Sequence, residues 1–350
     1  MTILFAILLF SILIFVHELG HFLAAKASGV RVNEFSMFMG PAILKKQVGE
    51  TLYALRCIPI GGYCAMEGED EDTDDPRSFQ KAAWWKRLII LVAGSAMNFV
   101  AGFLIIAIVF APIKQLVLPV IESAEPGCTV VREGGLQVGD EFLELDGEKI
   151  YIQADFSTIL TFNPGTTHDI VVKRDGQVLE FKDYVMETHL FPGEQQERYG
   201  FSFSIAEPTF ANKLRHIWFT CIDVVRTVRL SLQMMLSGQA GLKDMAGPVG
   251  LVQIMSDSAA AAPTALDAFW NMLYIGGFIA INLAVMNLLP IPALDGGRVV
   301  GLLLTCAIEG ITKKKLNSKY EGYIHGVGMV LLLILMAVIL FKDIFVIFQR

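Results

Sequence analysis

The stretch LLFSILIFVHELGHFLAAKASG at residues 8–29 decides how this chain is built. It belongs to an apolar run that begins at residue 2 and is long enough to cross a bilayer, which takes about 20 helical residues. The run nevertheless contains His17, Glu18 and His21. Ionisable side chains are costly in hydrocarbon and usually serve a function there. The stretch therefore predicts a membrane-spanning helix with a chemical site inside it.

HELGH at residues 17–21 is an HExxH pattern. Positions i and i+4 share one face of a helix, so His17 and His21 can reach the same metal ion. Glu18 is offset by about 100° and lies beside that ion, where it can act as the general base for a zinc hydrolase. Because catalytic zinc takes three protein ligands and keeps one open position, the pattern predicts a third ligand elsewhere in the chain.

The segment NLAVMNLLPIPALDGGR at residues 282–298 supplies a candidate for that ligand. Pro290 and Pro292 break the helix that precedes Asp295, and non-helical backbone at membrane depth is tolerated only when it is buried in protein or lines a wet cavity. Taken alone, Asp295 before two glycines is equally typical of an ordinary turn. Together with HExxH it indicates the third zinc ligand.

Composition and hydropathy predict a polytopic α-helical membrane protein. The 350 residues are 54% hydrophobic and only 18% charged, and the formal net charge of −7 argues against a nucleic-acid-binding protein. The mean hydropathy is +0.53. Four segments have the length of a membrane span, namely Thr2–Ala25, Leu88–Ala111, Leu266–Leu289 and Val327–Phe348.

The basic residues predict the orientation of these spans. Nine Lys and Arg residues fall between the first and second spans and five between the third and fourth, whereas Lys114 alone follows the second span closely. Basic loops stay in the cytoplasm. The N-terminus and residues 112–265 are then outside, and His17, His21 and Asp295 lie at a similar depth toward the cytoplasmic side.

Beyond these two motifs, the chain resembles the site-2 protease family of intramembrane zinc metalloproteases, especially the bacterial regulator-of-sigma-factor proteases with a PDZ domain. The resemblance covers nearly the whole chain. It rests on HELGH (17–21), PIGGYCAMEGED (59–70), AGSAMN (93–98), AGPVGL (246–251) and NLLPIPALDGG (287–297). One departure is Ser95 in AGSAMN, where the family usually has proline, and this leaves the role of Asn98 open.

The resemblance implies Zn²⁺ as the cofactor, with His17, His21 and Asp295 as its ligands and Glu18 as the residue that activates water. It also implies cleavage within transmembrane segments of partner proteins. Expected substrates are single-span bacterial membrane proteins, such as anti-sigma factors already clipped outside, or remnant signal peptides. The expected location is the cell membrane.

Substrate-binding residues follow from the same resemblance. The family has a cytoplasmic, membrane-associated β-hairpin beside the metal, and Gly61, Gly62 and Tyr63 fall in it; its strand edge can pair with an extended substrate. An ordinary hairpin turn is the alternative. Asn287 is expected to hydrogen-bond the substrate backbone or a developing oxyanion, or else to hold two helices together. Pro290 and Pro292 complete the predicted substrate site.

Between the second and third spans the composition becomes that of a soluble domain. EGGLQVGDEFLELDGEKI (133–150) resembles a PDZ signature, and DIVVKRDGQVLEF (169–181) predicts a hairpin around Asp175 and Gly176. Residues 211–236 predict an interfacial amphipathic helix rather than a fifth span, because Arg226 and Arg229 lie in its middle. The sequence predicts the first two spans with the cytoplasmic β-loop at 1–112, an extracytoplasmic PDZ domain at 113–207, an amphipathic helix and linker at 208–262, and the last two spans at 263–350.

Two other classes of function are alternatives to the protease. A transporter would use the intramembrane charges as an ion path, and it predicts an inverted repeat, which this sequence does not show. A scaffold that presents the PDZ domain without protease activity has no need of a general base. Zinc flux into sealed vesicles would identify the transporter.

Overall fold

The structure is a computed structural model that describes residues 2–69, 73–191, 195–241, 247–313 and 319–349. Asp70 of PIGGYCAMEGED and Ala246 of AGPVGL, both part of the family resemblance, lie outside the described residues. The helices and strands are, in chain order, α1 (Thr2–Ser28), β1 (Val32–Val48), β2 (Thr51–Met66), α2 (Trp84–Phe110), β3 (Leu116–Ala124), β4 (Glu141–Leu145), β5 (Glu148–Lys149), α3 (Gln153–Phe162), β6 (Thr167–Arg174), β7 (Gln177–Val185), β8 (Phe201–Ala206), α4 (Phe210–Leu236), α5 (Pro248–Ala260), α6 (Ala265–Asn287), α7 (Asp295–Thr312) and α8 (Lys319–Gln349).

Four of these helices are long and apolar enough to cross a membrane. They are α1, α2, α6 and the segment Gly326–Phe345 of α8. Their bounds agree with the predicted spans to within a few residues, so the prediction of four membrane helices is confirmed. The chain divides into two compact units, Met1–Ile106 with Ser237–Arg350, and Ala107–Leu236.

In the first unit, glycines bring the helices close together. A Cβ atom on Gly20 of α1 would lie 2.4 Å from the carbonyl oxygen of Ala93 on α2. A Cβ on Gly102 of α2 would lie 2.5 Å from Ile281 of α6, and one on Gly276 of α6 would lie 2.9 Å from Leu9 of α1. Small residues allow such backbone approach between membrane helices. The three helices therefore approach one another closely at glycines, most tightly at Gly20, where the facing atoms belong to the backbone of α2.

The sheet of the first unit is the antiparallel pair β1–β2, which has the predicted hairpin connection, but it is more complex than a simple hairpin. Residues 34–37 each pair with two residues of β2: Glu34, for example, pairs with both Ala65 and Leu52. The strands fold back on themselves near Gly40 and Gly61, which have φ values of 85° and 76°. Arg56 holds this fold, because its guanidinium donates to Glu34, to Ser36 and to the carbonyl oxygen of Gly40.

Helix α5 begins at Pro248, within the AGPVGL motif, and its first turn is capped from α8. The carboxylate of Asp343, which is 6% exposed, accepts a hydrogen bond of 2.8 Å from the backbone N–H of Gly250. Gly247 permits this contact, because a Cβ there would lie 2.6 Å from the carboxylate oxygen. A carboxylate at a helix N-terminus satisfies free N–H groups and complements the helix dipole. The motif thus joins α5 to α8.

The second unit is built on a sheet of order β7-β6-β4-β3-β8, with β5 paired to β4. The predicted hairpin is β6–β7, and its turn contains Asp175 and Gly176 at positive φ. The side chains of the core come from the sheet and from α3; Phe142, Leu145, Ile159 and Ile170 are among those almost wholly buried.

Helix α4 belongs to this second unit and packs against it through buried charge. Arg226, 7% exposed, forms a 2.8 Å ion pair with Asp155 and donates to the backbone carbonyl of Lys149. Tyr151 and Phe219 stack with their ring centroids 4.1 Å apart. The compact unit consequently extends past residue 207, the predicted end of the PDZ domain, to Leu236. The spacing of apolar residues alone could not indicate this docking. Arg226, whose charge argues against a fifth span, is also the residue that binds the helix to the rest of the unit.

Candidate metal centre

Helix α1 brings its two histidines to one face, as their spacing requires. The Nε2 atoms of His17 and His21 lie 3.2 Å apart. The Nδ1–H of His21 donates to the backbone carbonyl of Ile90 on α2, 2.8 Å away. A carbonyl only accepts hydrogen bonds, so this contact places the proton on Nδ1 and leaves the Nε2 lone pair free for a metal.

Asp295 arrives from a break between α6 and α7. Helix α6 ends at Asn287, the chain turns through Pro290, Pro292 and Ala293 (φ 77°), and Asp295 is the first residue of α7. The following glycines make this turn possible. A Cβ on Gly296 would lie 2.2 Å from the carbonyl oxygen of Leu288, and one on Gly297 would lie 2.3 Å from that of Ile291.

The three ligand candidates form a nearly regular triangle. Oδ2 of Asp295 lies 3.2 Å from Nε2 of His17 and 3.3 Å from Nε2 of His21. That oxygen is buried and has no hydrogen-bond partner within the described part of the chain. In a tetrahedral zinc site with bonds of about 2.0–2.1 Å, the ligand atoms are about 3.3 Å apart. The donor atoms therefore fit zinc, with lone pairs facing one another where a cation would balance them.

Gly94 of α2 lies directly against this triangle. A Cβ there would lie 2.3 Å from Nε2 of His21 and 2.8 Å from Cε1 of His17. Neither Gly94 nor Ile90 was predicted as a site residue. Both residues lie in or just before AGSAMN, but their contact with the histidines depends on how α1 and α2 are aligned.

Glu18 lies between the triangle and strand β2. A Cβ on Gly62 would lie 3.4 Å from Cγ of Glu18, and the backbone N–H of Cys64 interacts with the Glu18 carboxylate. Among the predicted substrate-binding residues, Gly62 is thus the one brought to the general base. Gly61 lies against Met39, and the ring of Tyr63 lies 5.5 Å from the guanidinium of Arg56.

The remaining predicted residues lie on the segment that leads to Asp295. Asn287 is the half-buried last residue of α6, and Pro290 is exposed. Pro292 packs against α8, where a Cβ on Gly328 would lie 2.2 Å from its side chain. Arg298, one turn past Asp295, forms an ion pair with Glu69 after β2. This pair connects α7 to the sheet that flanks Glu18.

Comparison with known proteins agrees with this geometry. The family model described as peptidase family M50 matches residues 5–335 of the chain. The chain belongs to peptidase family M50, the site-2 protease family.

Relatives in this family carry matching names. A protein of Clostridium perfringens named putative zinc metalloprotease is 36% identical over 348 residues, which cover 98% of each chain. One of Fusobacterium nucleatum with the same description is 32% identical over 365 residues and covers 100% of both. The regulator of sigma-W protease RasP of Bacillus subtilis is 26% identical over 433 residues, or 98% of each chain. The predicted family, metallopeptidase activity and zinc cofactor are confirmed.

Proposed function

We propose that this M50 peptidase is a zinc-dependent endopeptidase that cleaves the transmembrane segments of partner proteins. The observation that carries the proposal is the triangle of His17, His21 and Asp295, with edges of 3.2–3.3 Å. Both histidines lie on α1, which is apolar enough to span a bilayer, and Asp295 follows the end of α6, a second such helix. A soluble metalloprotease would have no reason to place its ligands on such helices.

His17, His21 and Asp295 would hold the zinc ion, which when bound supplies Lewis acidity toward the scissile carbonyl and the attacking water. Glu18 is the general base. Its carboxylate takes a proton from the attacking water and returns it to the leaving amine. The backbone N–H of Cys64 lies beside that carboxylate.

The substrate is proposed to bind as an extended strand beside β2. A peptide bond inside a helix is shielded, so the segment must unwind before attack, and a strand edge offers its main chain new hydrogen-bond partners. Gly61, Gly62 and Tyr63 are the proposed contacts, supported by the approach of Gly62 to Glu18. Asn287, Pro290 and Pro292 are proposed to line the other side of the extended segment.

The proposed substrates are single-span membrane proteins that have been clipped outside, such as anti-sigma factors, or remnant signal peptides. The name of the Bacillus subtilis relative, a regulator of sigma-W protease, supports the first class. We further propose that residues 113–207 form an extracytoplasmic PDZ domain and that the metal site lies toward the cytoplasmic side. The distribution of Lys and Arg supports this orientation.

The test is Glu18→Gln, measured as cleavage of a co-expressed single-span substrate together with the zinc content of the purified protein. Loss of a general base costs about 10²–10⁴-fold, so we expect at least a 100-fold slower cleavage with zinc retained. Glu50→Gln is the matched control, because Glu50 pairs with Lys26 and Arg77 away from the metal site. Cleavage by Glu18→Gln at the wild-type rate would exclude the mechanism.

A further inference from the structure

Helix α2 buries two polar side chains that the proposed function does not use. Ser95 and Asn98, both in AGSAMN, are each 1% exposed. The Ser95 Oγ and Asn98 Oδ1 atoms have no hydrogen-bond partner in the part of the chain that the structure describes. A buried polar group left without a partner costs about 1–3 kcal/mol, so such groups call for an explanation.

The position of Asn98 on α2 points to the metal site. Asn98 is four residues after Gly94 and four before Gly102, so the three share one helix face. That face touches the His17 and His21 rings at Gly94 and α6 at Gly102. Side chains on a helix lean toward its N-terminus, so the Asn98 amide leans over the turn of Gly94. Because Gly94 has no side chain, the space beside it contains the Cε1 edge of the His17 ring.

His17 has a ring nitrogen, Nδ1, that requires a hydrogen-bond acceptor when the histidine binds zinc. Its Nε2 atom faces Asp295 and His21, so a neutral His17 that binds zinc through Nε2 carries its proton on Nδ1. This Nδ1 is buried and has no hydrogen-bond partner among the described residues. The equivalent proton of His21 is accepted by the Ile90 carbonyl. Ligating histidines almost always donate their second N–H to such an acceptor.

We propose that Asn98 is a positioning residue for the zinc site, with its Oδ1 accepting the Nδ1–H of His17 through one bridging water molecule, since neither atom has a direct partner among the described residues. The inference rests on the proposed function, because it assumes that His17 binds zinc through Nε2. It gives AGSAMN a role: Gly94 admits the histidine rings, and Asn98 fixes the orientation of one of them. Ser95 Oγ is a further polar partner for a bridging water.

The test is the zinc dissociation constant of the full-length protein in detergent, measured by chelator competition, with the absorption spectrum of the Co²⁺ form. Loss of a ligand's hydrogen-bond partner typically weakens metal binding by about 10–100-fold, which we expect for Asn98→Leu and for the smaller Asn98→Ala. Asn98→Asp keeps an acceptor oxygen and should bind zinc at least as tightly as the wild type. Met97→Leu, a volume-conserving change at the neighbouring position, is the control and should change neither readout.

If Asn98 has a purely structural role, the order of zinc affinities among its variants is reversed. The nearly isosteric leucine would then leave zinc binding intact, and aspartate would be the most harmful substitution because it buries a charge. The proposal is overturned if Asn98→Leu and Asn98→Ala bind zinc within twofold of the wild type, or if Asn98→Asp binds no more tightly than they do. His17→Ala distinguishes failure of the proposed zinc site from failure of the proposed role of Asn98. If His17→Ala binds zinc normally, the metal site itself is misassigned. If it loses zinc while the Asn98 variants do not, only the role of Asn98 is wrong.

Discussion

Gly94 contributes to the metal centre by having no side chain. The rings of His17 and His21 occupy the space that any other residue at this position would need. The HExxH spacing was enough to predict that the histidines share a face, because helix geometry is local. The spacing could not indicate Gly94, whose role depends on the alignment of two helices whose contacting residues, His21 and Gly94, are 73 positions apart in the chain.

The substitution Gly94→Ala should therefore disable the site without touching a ligand. Its Cβ would lie 2.3 Å from His21 Nε2, so the ring has to move out of the triangle. We expect zinc binding to weaken by more than about tenfold, measured as the dissociation constant by chelator competition.

Gly310→Ala on α7 is the matched control. Outside the backbone of α7 itself, no atom of the residues that the structure describes lies within 4 Å of a Cβ at that position, and alanine is the better helix former by about 1 kcal/mol. Zinc binding should be unchanged in this variant. Unimpaired zinc binding in Gly94→Ala would show that the helices can separate at no cost.

At the scale of elements, sequence periodicity and length predicted the four membrane helices to within a few residues. The β1–β2 sheet was predicted less fully. An edge and a hairpin could be anticipated from PIGGY, but the double pairing of Glu34 with Leu52 and Ala65 could not. Such pairing is set by contacts between distant residues and by turns at Gly40 and Gly61, and alternation of side chains does not encode it.

The junction of α5 and α8 rests on one carboxylate, and it can be tested by Asp343→Ala. Without Asp343 the backbone N–H of Gly250 has no acceptor in the first turn of α5. A hydrogen bond to a charged group is worth about 1.5–3 kcal/mol, so we expect the opening free energy of α5 to fall by about that amount. The measurement is amide hydrogen exchange over residues 250–255 of the protein in detergent.

Asp343→Asn keeps an acceptor oxygen, so its protection of the α5 amides from exchange should lie between that of the wild type and that of Asp343→Ala. Asp267→Asn, at the first turn of α6, is the control and should leave exchange in α5 unchanged. If the amides of α5 exchange as slowly in Asp343→Ala as in the wild type, the hydrogen bond from Asp343 contributes nothing to stability and α5 is held by its apolar contacts.

At the scale of the whole molecule, the two compact units differ in what holds them together. The first combines buried apolar clusters with close approach of its helices at glycines, whereas the second combines an apolar core with buried charge around Arg226. Net charge and composition predicted a soluble segment between the spans. They could not predict that α4 docks on it, because the partners of Arg226 are Asp155 and a backbone carbonyl from other parts of the chain.

This buried charge makes the second unit sensitive to pH. Burial, together with the nearby Asp155 carboxylate, raises the pKa of Asp223 on α4 from 3.8 to about 6. A raised carboxyl pKa favours the folded state at low pH, so this contribution is fully present below pH 3.8 and is lost as the pH rises through 6. Its size is at most about 3 kcal/mol.

Asp223→Asn should therefore stabilise the second unit above pH 6 and remove this part of its pH dependence. Exchange of amides in β4 and β6 of the full-length protein, compared from pH 4 to 7, measures the effect. Burial lowers the pKa of His216 on the same helix, which acts in the opposite sense, so the difference between variant and wild type is the informative quantity. If amide protection in β4 and β6 changes equally with pH in Asp223→Asn and in the wild type, Asp223 is not the source of this pH dependence.

The hydrogen bond from His21 is accepted by the backbone carbonyl of Ile90, not by a side chain, and this has an evolutionary consequence. No substitution at position 90 can delete a carbonyl, so the residue there is free to drift among helix formers of suitable size while the ligand keeps its partner. Selection can act on that bond only through residues that keep α2 in place, such as Gly94. A complete mutational scan would find that other apolar residues of similar size are tolerated at the buried position 90, whereas substitutions of Gly94, one turn later, are not.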